Sequence, residues 1–120
     1  MKHMSLTEIK RAHEANGGYF FREDTMKYWG SKLHGYTTRY NMFITSDDNF
    51  NGTKKLFSVR FYNAEKDTFE SIFQKCGTLQ EAQKLRNMIV NDIIAKGMDT
   101  SDAIEDLIRK HEAEYKGVSL

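Results

Sequence analysis

Asp47-Asp48-Asn49-Phe50-Asn51-Gly52 has the spacing with which the first half of a calcium loop gathers oxygen ligands. That chemistry requires a bidentate glutamate at the twelfth position, and Ser58 stands there. Ser46 to Lys55 therefore reads as a polar hairpin loop turning at Asn51-Gly52. The histidines His3, His13, His34 and His111 lie far apart, and none has a His or Cys neighbour at ligand spacing. His13 and His111 read as helix-boundary histidines, so no metal is expected. Cys76 follows Lys75, a cation able to lower a thiol pKa, but no histidine stands nearby as a base. It reads as a small, partly buried side chain. Glu23-Asp24 and Asp47-Asp48 are adjacent carboxylates at a helix start and a loop, where solvated acids are ordinary. Gly17-Gly18 lacks the third glycine and preceding strand of a phosphate-cradling loop. No nucleophile–base–orienter set assembles, so the expectation is a protein that is not an enzyme and needs no cofactor.

Binding chemistry remains. Aromatic side chains anchor protein interfaces, and Tyr28, Trp29, Tyr36 and Tyr40 are the candidate protein contacts. For Tyr28 and Trp29 a place in the core is the competing reading, whereas Phe20, Phe21 and Met26 read as core. Eighteen basic against 17 acidic residues leave a net charge of +1, which gives no default attraction to nucleic acid or anionic membrane.

These residues need elements to hold them. At 120 residues, with 39% hydrophobic and 29% charged residues, the chain reads as one domain. Residues 1–4 read as a vector-derived or disordered start, and 98–120 as a helical extension. Ser5-Leu6-Thr7-Glu8 has the pattern of a capping box, opening a short helix that Gly17-Gly18 stop. Glu23 and Asp24 open a second short helix that Gly30 ends. From Tyr36 to Ile44 the apolar period is two, predicting one strand. Phe57, Val59 and Phe61 alternate in a second strand, and Phe69, Ser71 and Phe73 in a third, across a turn at Asn63 to Asp67. Thr78-Leu79-Gln80-Glu81 is a second capping-box pattern, and Leu79, Ala82, Leu85, Ile89 and Ile93 form a helical stripe closed by Gly97. A last amphipathic helix starts within Asp99 to Asp102 and buries Ala103, Ile104, Leu107 and Ile108, on its own sheet or on a second copy.

The fold class expected is α+β. A three-stranded antiparallel sheet is roofed by the helix from Thr78 over Phe57, Val59, Phe61, Phe69 and Phe73, with two short N-terminal helices and a C-terminal amphipathic helix. No apolar run exceeds three residues, so neither a signal peptide nor a membrane span is expected. A single cysteine is at home in a reducing cytoplasm.

Leu56 to Phe73 followed by Thr78 to Leu85 resembles the amino-terminal arm-binding domain of phage integrases, a three-stranded sheet backed by a helix opening with threonine and a Glu-Ala pair. The matching residues are Phe57, Val59, Arg60, Phe61, Tyr62, Phe73, Thr78, Glu81 and Ala82. That resemblance implies DNA reading from the face opposite the helix. Here the face would carry Arg39, Asn41, Ser58, Arg60, Thr68 and Gln74, with Lys54 and Lys55 at its rim. Gly17 to Gly30 (GGYFFREDTMKYWG), with Phe43-Ile44-Thr45-Ser46 and Phe57-Ser58-Val59-Arg60, resembles small uncharacterised proteins of bacteriophages and mobile elements. The likeness runs from about Gly17 to Met88. The chain departs from it with Arg22-Glu23 in place of Ser-Pro and with the helix after Gly97. It carries over no residue role and implies only origin.

The expected function is that of a small phage- or mobile-element accessory protein in the bacterial host cytoplasm. It would bind a host or phage protein, with inhibition of host defence as the role, as a monomer or as a homodimer through its last helix. Sheet-mediated DNA binding is the alternative.

Overall fold

Short-range chemistry sets the helix ends. The computed structural model describes residues 3–48 and 55–114, with the side chains at 29, 35–37, 47, 48, 55 and 70–75 outside the description. Along them run α1 (Leu6–Ala15), α2 (Glu23–Trp29), β1 (Lys32–Arg39), β2 (Met42–Asp48), β3 (Lys55–Asn63), β4 (Thr68–Cys76), α3 (Leu79–Lys96) and α4 (Ser101–Glu114). Ser5 Oγ accepts the Glu8 N–H at 3.2 Å while Glu8 Oε1 accepts the Ser5 N–H at 3.1 Å, closing the first capping box. The second is only half a box. Thr78 Oγ1 accepts the Glu81 N–H at 3.1 Å, but Glu81 Oε2 reaches past the cap to the Gly77 N–H at 3.0 Å. Gly97, at φ +61°, ends α3 where a side chain would be strained, and the Met98 N–H closes the turn on the Ile93 carbonyl.

The protein is an α+β fold on an antiparallel sheet, and among the described residues the sheet has four strands in the order β1-β2-β3-β4 rather than three. The run expected as one strand from Tyr36 to Ile44 folds back at Tyr40 and Asn41, both left-handed at φ +50° and +59°. A two-residue hairpin turn requires that geometry. Asparagine adopts it readily, whereas for tyrosine it costs about 1–2 kcal/mol. The contacts that hold it are the Asn41 carbonyl, which accepts the Tyr62 N–H at 3.0 Å, and Asn41 Oδ1, which accepts the Met4 N–H at 2.8 Å. Met4, set aside in the sequence as part of the start, is buried with Ile9 and Tyr62.

Both faces of the sheet are covered. On one face Met42, Ile44, Val59, Phe61 and Cys76 pack against Ala82, Leu85, Ile89, Val90 and Ile93 of α3 and Ile104, Leu107 and Ile108 of α4. Each fully buried aliphatic side chain there contributes about 1.5–3 kcal/mol. The apolar stripe of α4 is thus used within its own chain. Asp92 Oδ2 joins α3 to α4 by accepting from His111 Nε2 at 3.0 Å and Lys96 Nζ at 3.1 Å.

Phe69, expected under α3, lies on the other face. Asn63 pairs with Thr68 and Tyr62 with Phe69, so odd positions of β3 stand opposite even positions of β4. Residues directly opposite share a face, which sends Phe69 with Tyr62 and away from Phe61. There it stacks on Phe20, with ring centres 4.5 Å apart and planes 18° apart, while Phe21 and Phe43 meet it edge-on. The side chain of Phe73 lies outside the described residues.

Candidate functional site

The β3–β4 hairpin, α1 and the segment after it meet around one carboxylate. Asp67 Oδ1 accepts the Tyr62 hydroxyl at 2.6 Å and faces His13 Nδ1 at 3.0 Å. The other ring nitrogen, His13 Nε2, accepts the Phe20 N–H at 3.3 Å, so the neutral ring carries its proton on Nδ1 and gives it to Asp67. Burial pushes the Asp67 carboxyl up, but Tyr62, His13 and Asn16 together hold it below its usual range. Burial, followed by the Asp67 hydrogen bond and charge, raises the Tyr62 phenol. A tyrosine, an aspartate and a histidine in contact have the parts of an acid–base relay. A base, however, needs a lone pair facing its substrate, and that of His13 is taken by a backbone amide. The trio is a clasp that fixes α1 and the Phe20–Phe21 segment to the sheet. Nothing in the spacing of His13, Tyr62 and Asp67 announces it.

A second polar cluster joins the same hairpin to α4. Asn63 Nδ2 donates to Glu105 Oε2 at 2.9 Å, and Asn63 Oδ1 accepts the Glu65 and Lys66 N–H groups at 3.1 and 3.2 Å. Glu105 is buried and also accepts from Arg109 Nη2 at 3.1 Å. Glu105 and Arg109 stand four positions apart on α4, one helical turn, but nothing in the sequence marks the burial of Glu105.

Among the described residues, those assigned to a DNA-reading face do not share one open face. Arg39 stands opposite Met42, on the α3 side of the sheet, where its Nη1 donates to Asn87 Oδ1 at 3.2 Å. Asn41 and Ser58 are buried, out of reach of a duplex. Arg60 lies on the expected face, but its Nε donates to Thr45 Oγ1 at 2.9 Å and its guanidinium sits over the Phe20 ring, 5.1 Å from the centre. Thr68 is exposed. Lys54 lies outside the described residues, as do the side chains of Lys55 and Gln74 and the calcium-like segment from Asp47 to Gly52. The reading failed at the hairpin and at the second layer. The turn at Tyr40–Asn41 moves Arg39 to the other face, and α1 with Phe20 and Phe21 covers the face that was meant to be open.

Of the candidate protein contacts, Tyr28 is 80% exposed on α2. Tyr40 is half-buried against the α3 core, with its ring 4.4 Å from that of His3. The side chains of Trp29 and Tyr36 lie outside the described residues. Exposed apolar surface that the sequence did not flag is Tyr19 at 66%, Ile94 at 55% and Met88 at 44%. Periodicity marks what a helix buries, so Ile94 and Met88 on the outer side of α3 gave no signal.

Cys76 is fully buried, and burial, helped by the charge of Glu81, pushes its thiol up to about 11. The side chain of Lys75 lies outside the described residues. Among the described residues no three His, Cys, Asp or Glu side chains gather as metal ligands, and no helix is long and apolar enough to cross a membrane.

A family model described as a family of unknown function (DUF7447) matches residues 5–87, from the cap of α1 into α3. No curated protein and no solved structure matches the chain.

Proposed function

The chain belongs to this family, DUF7447, and we propose that it works by binding a protein partner through the outward side of α2, without turnover. The observation that carries this reading is Tyr28, four-fifths exposed on a helix whose exit is fixed. Gly30 at φ +64° and the Ser31 N–H bonded to the Met26 carbonyl at 2.8 Å hold that end. A large aromatic presented on a rigid turn loses little entropy on docking, which is why tyrosine anchors interfaces. The closed state of His13 and the burial of Cys76 support binding over catalysis. In this reading the protein is an accessory of a bacteriophage or mobile element, and its partner is a host or phage protein in the bacterial cytoplasm, with inhibition of a host defence as the outcome.

The test is capture from bacterial lysates with wild type and Tyr28→Ala side by side, followed by reconstitution with the purified partner. One protein should be retained by wild type and lost from the variant. A partner held equally by Tyr28→Ala, or nothing enriched from several hosts, would overturn the reading. Duplex DNA bound with a steep salt dependence and lost in Arg39→Glu would move the function to nucleic acid.

A further inference from the structure

The strap from Tyr19 to Arg22 leads from α1 into α2 and closes over the sheet. Gly17, at φ +81°, and Gly18, whose backbone lies against the His13 ring, give it a hinge. Beyond the hinge Phe20 stacks on Phe69, and Phe21 meets Phe43 with ring centres 5.9 Å apart. The polar tie between strap and clasp is the Phe20 N–H, which His13 Nε2 accepts at 3.3 Å.

The two nitrogens of His13 are drawn toward different protonation states. Asp67 Oδ1, 3.0 Å from Nδ1, favours the imidazolium, because an opposite charge stabilises it. The Phe20 N–H favours the neutral ring, because it needs the lone pair that a second proton would occupy. Protonated, Nε2 sets its own N–H against that of Phe20, and neither donor has its acceptor. Asp67 still holds Nδ1 in that state, so α1 keeps its place while the strap does not. Two cations rest on the rings of the strap, Lys10 of α1 at 5.7 Å from the Phe21 centre and Arg60 of β3 at 5.1 Å from that of Phe20. Both oppose a further positive charge, against the pull of Asp67. Lys66, beside Asp67, pairs with Asp102, and Arg22, at the end of the strap, pairs with Asp24. The Tyr62 hydroxyl meets the same Asp67 oxygen and stays neutral at ordinary pH, its phenol raised by burial. The His13 side chain keeps 12% of its surface in solvent, which gives protons access to the ring.

We infer that the strap is a pH-gated cover: a proton on His13 Nε2 releases Phe20 and Phe21 and uncovers the aromatic face of Phe43 and Phe69. By linkage, the open strap binds that proton more tightly than the closed one. Histidine is the side chain that ordinarily changes charge between about pH 5 and 8, so mild acidification is the signal. The inference goes beyond the reading of Tyr28 and does not depend on it. It is tested on the full chain by following the His13 ring and amide hydrogen exchange together in ¹H–¹⁵N spectra from about pH 8 to 5. Exchange rates are corrected for their intrinsic pH dependence. The Phe20 amide should lose protection about tenfold or more with the midpoint of the His13 ring, while Ile89 in α3 keeps its own. His13→Gln, with an amide for Asp67 and a carbonyl for Phe20 but no titration, should keep the strap closed throughout. Asp67→Asn removes the charge that favours the imidazolium and should move the ring and strap midpoints together to lower pH. Wild type alone decides the matter if neither variant folds. A ring that takes up its proton while the Phe20 amide stays protected would overturn the gate. So would a ring that stays neutral over the whole range, a loss shared with Ile89, or the same loss in His13→Gln.

Discussion

Tyr62 and Asp67, five residues apart across the β3–β4 turn, share a 2.6 Å hydrogen bond, and the same carboxylate oxygen faces His13 of α1. A local hairpin contact thus also decides where a helix at the other end of the chain docks.

The clasp makes stability depend on pH. A carboxylate whose folded pKa lies below its unfolded value near 3.8 stabilises the fold above that value, and the contribution is lost as pH falls through the lower folded pKa. The Tyr62 phenol acts at the other end of the scale. Raised in the fold, it contributes fully below pH 10.0, and stability declines as pH rises from there. Thermal melts from pH 7 down to 2 should show an acid step for wild type that shrinks in Asp67→Asn. Asparagine is the suitable replacement because Asp67 sits at φ +52°, which asparagine tolerates. An unchanged step would mean that another acid controls it.

Two glycines should behave oppositely. A methyl group on Gly18 would lie 2.2 Å from His13 Cε1 and Nε2, on a ring held at both nitrogens, whereas one on Gly77 would meet nothing within 4 Å. Gly18→Ala should cost about 1–3 kcal/mol in denaturant unfolding. Gly77→Ala should stay within about 0.5 kcal/mol. Equal effects would show that the ring yields freely.

Asn63 and Glu105 should be coupled. Removing the Asn63 amide takes a donor from a buried carboxylate, so Asn63→Ala should cost about 1–3 kcal/mol. A double-mutant cycle with Glu105→Gln should return a coupling of about 0.5 kcal/mol or more, while additive losses would place the cost of Asn63→Ala in the turn instead.

Cys76 should be inert while the protein is folded. A buried thiol with a pKa of about 11 presents almost no thiolate at pH 8. Labelling with a disulfide reagent should proceed only at the rate of unfolding and become fast in denaturant. Rapid labelling of the native protein would place the sulfur at the surface.

Much of the scaffold is legible along the chain because the signals are short-range. Ser5 with Glu8, Thr78 with Glu81, and the glycines at 17, 30 and 97 act within a few residues, so the helices begin and end where the pattern places them. The stripe of α3 is equally local, because a helix repeats its buried face at a fixed interval.

What the sequence alone determined is therefore where the helices lie and that they combine with an antiparallel sheet. Tertiary structure decided which face each strand presents. The apolar pattern of the sequence runs on through Tyr40–Asn41 and so gives no sign of the hairpin, yet a two-residue turn sets Arg39 opposite Met42, on the α3 side. The side taken by Phe69 depended on Asn63 pairing with Thr68, because a shift of one residue exchanges the two faces of a strand. The meetings of His13 with Asp67, Asn63 with Glu105, and Arg39 with Asn87 join residues 54, 42 and 48 positions apart. No local preference encodes contacts at that range. They exist because the layers that close over the sheet bring them together.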